Sequence, residues 1–187
     1  TGAPALATVF PKTSIGAQLQ EVAKLIQVRD QMNMNRQIFF CSLGGFDTHT
    51  VQLTSQDTLY AQLSPALAAF YAATEELTVA DQVTTFTESD FSRTFEPNSN
   101  GGSDHGWGSH HIVMGAGIKG SKMYGTFPSQ QLGGPDDAGS EGRWIPTTAV
   151  DQYGATLAQW FGLPTASLPL VFPNIGNFPT TDVGFYG

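Results

Sequence analysis

The sequence predicts an α/β fold, and three segments within residues 37–87 carry this prediction. An apolar run at residues 37–43 is typical of a buried strand, and a second run at residues 82–87 is short and rich in β-branched residues. Between them, residues 55–77 place leucines and a phenylalanine at helical spacing. A strand, a helix and a strand in this order favour a right-handed parallel βαβ unit.

The helices are predicted from capping residues and apolar spacing. Thr13 or Ser14 can cap a first helix whose apolar side chains recur at helical spacing up to Ile26. Inside the helix at residues 55–77, Pro65 should cause a kink or a break, because proline cannot donate a backbone hydrogen bond.

Toward the C-terminus the pattern becomes mainly loops and one helix. A third short strand is predicted at residues 111–115, between long irregular loops at residues 88–109 and 128–142. Residues 148–151 have the form of a capping box, which predicts a helix from there through Phe161. Gly162 should close that helix, and the Pro-rich and Phe-rich tail should pack irregularly.

Composition limits the classes of partner. The 187 residues carry a formal net charge of −8, which disfavours nucleic acid and anionic membranes, since both need a basic surface. Apolar runs are too short for a membrane span, and the single Cys41 is interpreted as a small buried apolar residue. Because the chain begins with Thr1 and shows no signal peptide, we expect a processed product or a fragment.

Residues able to bind a metal concentrate after the predicted strands. In a parallel sheet, ligands bind beyond the carboxyl ends of the strands, and mixed carboxylate and imidazole donors suit Zn²⁺ or Mn²⁺. All four histidines lie between His49 and His111. The candidates that follow the first two strands or lie in the long second loop are Asp47, His49, Glu88, Asp90, Arg93, Asp104, His105, His110 and His111.

Each candidate also has a purely structural interpretation. Asp47 and Asp104 could cap their own turns, as Asp often does beside glycine. His110 and His111 are adjacent and would face opposite sides of a strand, so one of them is expected to be structural. Arg93 could form a surface salt bridge instead of binding an anion, and Glu88 fits a solvated or supporting position better than a ligand position.

Four sequence motifs together resemble a known bacterial family. They are Gly44-Gly45-Phe46-Asp47-Thr48-His49, Ser89-Asp90-Phe91-Ser92-Arg93-Thr94, Gly102-Ser103-Asp104-His105-Gly106-Trp107-Gly108, and the stretch at residues 143–151 that leads into Trp160-Phe161-Gly162. In this order they resemble the domain of unknown function 1501 (DUF1501) family. The resemblance implies kinship with the alkaline phosphatase and sulfatase superfamily, an α/β/α sandwich with a mostly parallel sheet, and a periplasmic or extracellular location reached by twin-arginine export.

The resemblance also implies roles for the candidate residues. Two metal ions would activate a nucleophile and stabilise charge on a phosphoryl or sulfuryl group. The cofactor would be Zn, Mn or Ca, and Arg93 would contact the substrate anion. The residues that would contact and support the metal ligands are Glu88, His110 and His111. The implied metal ligands are Asp47, His49, Asp90, Asp104 and His105.

Length qualifies this interpretation. Members of the family are about twice as long, so the resemblance implies that residues 1–187 are the C-terminal portion of a single alkaline-phosphatase-like domain. The N-terminal half, with the nucleophile, would be a covalent or associated partner, and the substrate a small anionic ester. The leading hypothesis is an exported metal-dependent hydrolase of phosphate or sulfate esters. The alternatives are a non-catalytic exported protein that keeps the fold and a structural metal, and a small metal-free domain.

Overall fold

The computed structural model of the protein describes residues 4–187. The chain forms two compact units, and it passes from one unit to the other several times. The first unit comprises the residues up to Thr85 together with Pro97–Ser103 and Met114–Ala116. The second comprises Phe86–Glu96, Asp104–Val113 and Gly117–Gly187. Nothing in this division tests the prediction of one alkaline-phosphatase-like domain, which stays a prediction.

Two helices form the first unit. Helix α1 spans Ser14–Gln27 and begins as predicted, with the Thr13 hydroxyl accepting a hydrogen bond from the Gly16 amide. Helix α2 spans Gln52–Glu76 and is not broken at Pro65. Apolar side chains of both helices and of the flanking loops form one buried cluster: Phe10, Ile15, Leu19, Val22, Ala23, Ile26, Ala66, Phe70, Ala73 and Val79.

The predicted strand at residues 37–43 is extended but has no β-partner among the described residues. Its burial alternates, since Phe39, Cys41 and Leu43 pack on the helical core while Ile38 and Phe40 are exposed. A side chain takes the place of a neighbouring strand at one position. The Gln18 amide accepts from the Ser42 N–H and donates to the Ser42 carbonyl, both at 2.9 Å.

The strands that do pair are short, with two residues each. Strand β1 (Thr85–Phe86) pairs with β4 (Val113–Met114), and β2 (Ser92–Arg93) pairs antiparallel with β3 (His105–Gly106). The predicted α/β/α sandwich with a mostly parallel sheet is therefore wrong for the described residues. Apolar runs show where a strand could form, but a sheet also needs neighbouring strands, and no parallel neighbour joins residues 37–43 to β1.

The second unit contains α3 and a tail of short turns. Helix α3 spans Val150–Phe161 and ends at Gly162, whose φ of 108° lies in the left-handed region that glycine tolerates. The cap residue is Ala149, one position after Thr148, where the predicted capping box begins, and the Gln152 side chain accepts from the Ala149 N–H. The tail forms a short helix α4 (Leu168–Val171) between two 3₁₀ turns.

One carboxylate organises the predicted loop at residues 128–142. Asp137 is buried and accepts hydrogen bonds from the backbone N–H groups of Gly133, Gly139, Gly142 and Arg143 at 2.9–3.1 Å. Burial by itself raises the pKa of Asp137, but these four donors outweigh burial and hold the pKa below its usual value. A charged carboxylate thus stabilises a loop that has little apolar surface to bury.

Candidate metal centre

The candidate site of the first unit lies in the turn that follows residues 37–43. Gly45 has a φ of 101°, which turns the chain sharply, and the Thr48 N–H donates to the Phe46 carbonyl at 2.9 Å. The Phe46 ring contacts Tyr60 of α2 edge-on, with ring centroids 5.7 Å apart. The turn is therefore anchored to α2, while Asp47 and His49 project into solvent.

The structure brings Asp47 and His49 together, and their predicted role as metal ligands stays a prediction. The Asp47 Oδ1 and His49 Nε2 atoms are 3.1 Å apart, and both side chains are exposed. Two ligand atoms bound tetrahedrally to one Zn²⁺ at roughly 2.0–2.1 Å lie about 3.3 Å apart. The pair consequently has the spacing of adjacent ligands of one ion as well as that of a direct carboxylate–imidazole contact.

A second segment of the same unit, Pro97–Ser103, holds the backbone of this pair. The Asn98 side-chain amide donates to the His49 carbonyl at 3.0 Å, and Ser103 donates its N–H to the Thr48 carbonyl at 3.4 Å. Gly102 makes this approach feasible, because a Cβ atom there would lie 2.1 Å from the His49 carbonyl carbon. The backbone of Thr48 and His49 is thus held by two hydrogen bonds from this segment.

The next candidates, Asp104 and His105, lie in the second unit. Their backbone pairs with β2, since Arg93 is opposite His105 and the Thr94 N–H donates to the Asp104 carbonyl at 2.8 Å. The His105 imidazole stacks on Phe91, with centroids 4.2 Å apart and an interplanar angle of 9°. The Arg143 guanidinium donates to the His105 carbonyl at 3.3 Å.

Arg93 lies opposite His105 in the hairpin of β2 and β3. Its guanidinium carbon lies 5.1 Å from the centroid of the Phe91 ring, within the range of a cation–π contact. Arg93 is half-buried on β2, so its position is set by the hairpin and by Phe91. The anion contact of Arg93 stays a prediction.

The two histidines among the supporting residues proposed from the sequence contact different aromatic rings. His110 contacts Phe127 and His111 contacts Tyr153, each with ring centroids 5.8 Å apart. Burial lowers the pKa of His111 below its usual value. The charge of Glu88 acts in the opposite direction and raises this pKa, whereas the charge of His110 lowers it further. Glu88 and Asp90 are exposed, and the roles predicted for them stay predictions.

Sequence reasoning missed several residues that shape these sites. Phe91 and Asn98 gave no signal, because an aromatic stack and a side-chain-to-backbone bond across 49 residues leave no periodic pattern. Arg143 is the first residue of the family motif at residues 143–151, and the sequence gives it no role of its own. Gly102 is the first residue of the motif that contains Asp104. A glycine so near a candidate ligand is a signal that two backbone segments approach closely.

Comparison with known proteins identifies the family. A profile described as a protein of unknown function (DUF1501) matches residues 12–138. The chain therefore belongs to the DUF1501 family. No curated protein and no solved structure matches it.

Proposed function

We propose that the protein is a metal-dependent hydrolase of phosphate or sulfate esters, with Asp47 and His49 binding a divalent cation. The observation that supports the proposal is the 3.1 Å spacing of their ligand atoms in an anchored, exposed turn. A carboxylate and an imidazole suit Zn²⁺ or Mn²⁺, and Ca²⁺ suits them less because it prefers oxygen. The turn is ready to bind a cation without rearrangement of its backbone.

Further ligands are proposed from the sequence. Asp104 and His105 would be ligands of the metal site, and Asp90 a ligand or a neighbouring carboxylate. Arg93 would contact the ester anion, for which a guanidinium offers a fork of N–H donors. Glu88, His110 and His111 would support these groups. A bound cation would act as a Lewis acid on the ester, and the protein residues would orient both.

The proposal is tested by elemental analysis of the purified protein combined with turnover of aryl phosphates and aryl sulfates. We expect a bound divalent metal and hydrolysis of one ester class, with both reduced by Asp104→Ala and His49→Ala. Asp30→Ala is the matched control, since this aspartate has an 89% exposed side chain outside the site. A protein with no metal, whose turnover is unchanged by Asp104→Ala, would contradict the proposal.

A second function is a non-catalytic exported protein that keeps a structural metal. The exposed position of the Asp47–His49 pair favours this alternative over a closed active site. It predicts a melting temperature that falls with a chelator and no turnover of any ester.

Both proposed functions include export of the protein to the periplasm or outside the cell. Among residues 4–187 no helix combines the length and apolarity of a membrane span.

We also propose that the partner of this chain is an N-terminal portion of the same protein, covalent or associated, as the superfamily kinship would require. The extended segment 37–43 supports this, because it is apolar on both faces and only one face is covered. Strands that are apolar on both faces are usually buried on both. The exposed Phe40 would therefore lie under the partner.

This partner is tested in protein isolated from its natural source. Mass spectrometry should find sequence of the same gene preceding Thr1, either in one polypeptide or in a co-purifying fragment. Phe40→Lys should then destabilise the assembly, whereas Val9→Lys should not, although the two side chains are 91% and 87% exposed here. Equal and negligible effects of both substitutions would contradict the proposed cover.

A further inference from the structure

The hairpin of β2 and β3 fixes the backbone of His105 but leaves its side-chain torsions to other contacts. Ser92 pairs with Gly106 and Arg93 with His105, and the ladder continues through the Thr94–Asp104 bond. A Cβ atom at Gly106 would lie 2.9 Å from the Ser92 hydroxyl, so the two strands approach closely there. The direction of the His105 imidazole is then determined by what its ring touches.

Phe91 stacks on the His105 imidazole. The two rings are almost parallel, at 9°, with centroids 4.2 Å apart. Ring-nitrogen lone pairs lie in the imidazole plane, so a ring stacked on its face restricts rotation without occupying the atoms that bind a metal. Phe91 immediately precedes β2 and is half-buried, so its ring is itself held in place beneath the imidazole.

Phe91 also contacts Arg93, whose guanidinium carbon is 5.1 Å from the ring centroid. One aromatic side chain therefore touches both a proposed metal ligand and the proposed anion contact. A change in the Phe91 ring would displace both groups while leaving the donor atoms themselves unchanged.

From these contacts we infer that Phe91 is a positioning residue, which holds the His105 imidazole in the plane needed for metal binding and Arg93 beside it. This inference rests on the proposed function of His105 as a ligand. Phe91 itself contributes no ligand atom. The residue acts as an aromatic counterpart of the hydrogen-bonding groups that orient metal-binding histidines in other proteins.

Co²⁺ is a suitable probe, because its visible spectrum reports ligand geometry and its titration reports affinity. We expect Phe91→Leu to weaken Co²⁺ binding by roughly ten-fold, the lower end of the range for groups that orient ligands. The visible bands should also change at saturation, which a loss of stability alone would not cause. Phe91→Tyr keeps a ring and should retain both the affinity and the spectrum of the unmodified protein.

Phe95→Leu is the matched control, since Phe95 follows the same strand and contacts Trp144, with centroids 5.7 Å apart. It should leave Co²⁺ binding unchanged. If Phe91→Leu does not give a cooperative melt, Phe91→Met replaces it, because Met fills a similar volume without a ring.

The outcomes distinguish a failure of the ligand role of His105 from a failure of the positioning role of Phe91. If His105→Ala binds Co²⁺ as well as the unmodified protein does, the ligand role in the proposed function fails. If His105→Ala weakens binding but Phe91→Leu or Phe91→Met leaves affinity and spectrum intact, the positioning role of Phe91 is overturned while the ligand role stands.

Discussion

The two compact units of the chain are stabilised in different ways. The first has a cluster of ten buried apolar side chains supplied mainly by two long helices, whereas a cluster in the second has only Ala155, Leu168 and Ile175. The second relies instead on polar anchors such as Asp137 and on aromatic contacts around Tyr153 and Phe185. The first unit should therefore respond to changes in apolar volume, and the second to changes in charge.

The largest effect is expected from removing volume in the first unit. Phe70 is 4% exposed in the core, and Phe70→Ala should lower the free energy of unfolding by about 3–5 kcal/mol. Denaturant unfolding followed by circular dichroism measures the change. Phe40→Ala is the control, since its side chain is exposed in this chain, and a comparable loss there would show that the described packing is incorrect.

A smaller effect is expected from Gly102→Ala, which tests the close approach of two backbone segments. The new Cβ would overlap the His49 carbonyl group, so Pro97–Ser103 must shift, at a cost of about 1–3 kcal/mol for overpacking. The cation affinity of the Asp47–His49 turn should fall with it. Gly120→Ala has open space around the new Cβ and should change neither quantity, as thermal melts and metal titrations can check.

Asp137→Asn tests the polar anchoring of the second unit through its pH dependence. The folded pKa of Asp137 lies below the ordinary 3.8, so its stabilising contribution is present above that pH and is lost as pH falls through the folded pKa. At neutral pH the variant should melt several degrees lower. The difference between the two proteins should shrink below about pH 3.8 and vanish in stronger acid. A difference independent of pH would contradict the role of the charge.

The smallest effect is expected from Val51→Asn at the start of α2. Val51 has a φ of 49°, a left-handed conformation that costs a β-branched residue roughly 1–2 kcal/mol and that Asn tolerates. The variant should gain about 1 kcal/mol of stability. Val150→Asn, at the start of α3, should show no such gain in the same denaturation experiment.

Sequence reasoning succeeded where structure is local. Thr13 and the apolar spacing up to Ile26 predicted α1, and Gly162 predicted the end of α3, because caps and helical periodicity involve neighbouring residues. Family membership was also predicted and is confirmed. Of the candidate site, the family resemblance implied Asp47 and His49 as a pair of metal ligands. The structure brings these two side chains into contact, and their ligand role stays a prediction.

The predicted sheet failed because strand pairing depends on distant segments. Residues 37–43 carry the right composition, yet a strand's hydrogen bonds must come from another part of the chain, and at Ser42 they come from the Gln18 side chain. The stack of Phe91 on His105 is equally non-local, since 14 positions separate two residues that contact each other through a hairpin. Residue order alone did not reveal that the hairpin would form.

Cation binding by the Asp47–His49 turn is tested most directly by calorimetric titration of Zn²⁺ or Mn²⁺ into the unmodified chain, His49→Ala, Asp47→Ala and Asp30→Ala. Saturable binding should be present in the unmodified chain and in Asp30→Ala, and each substitution in the turn should weaken it at least ten-fold, as expected for the loss of a ligand. Binding that persists unchanged in both His49→Ala and Asp47→Ala would contradict the proposed metal centre.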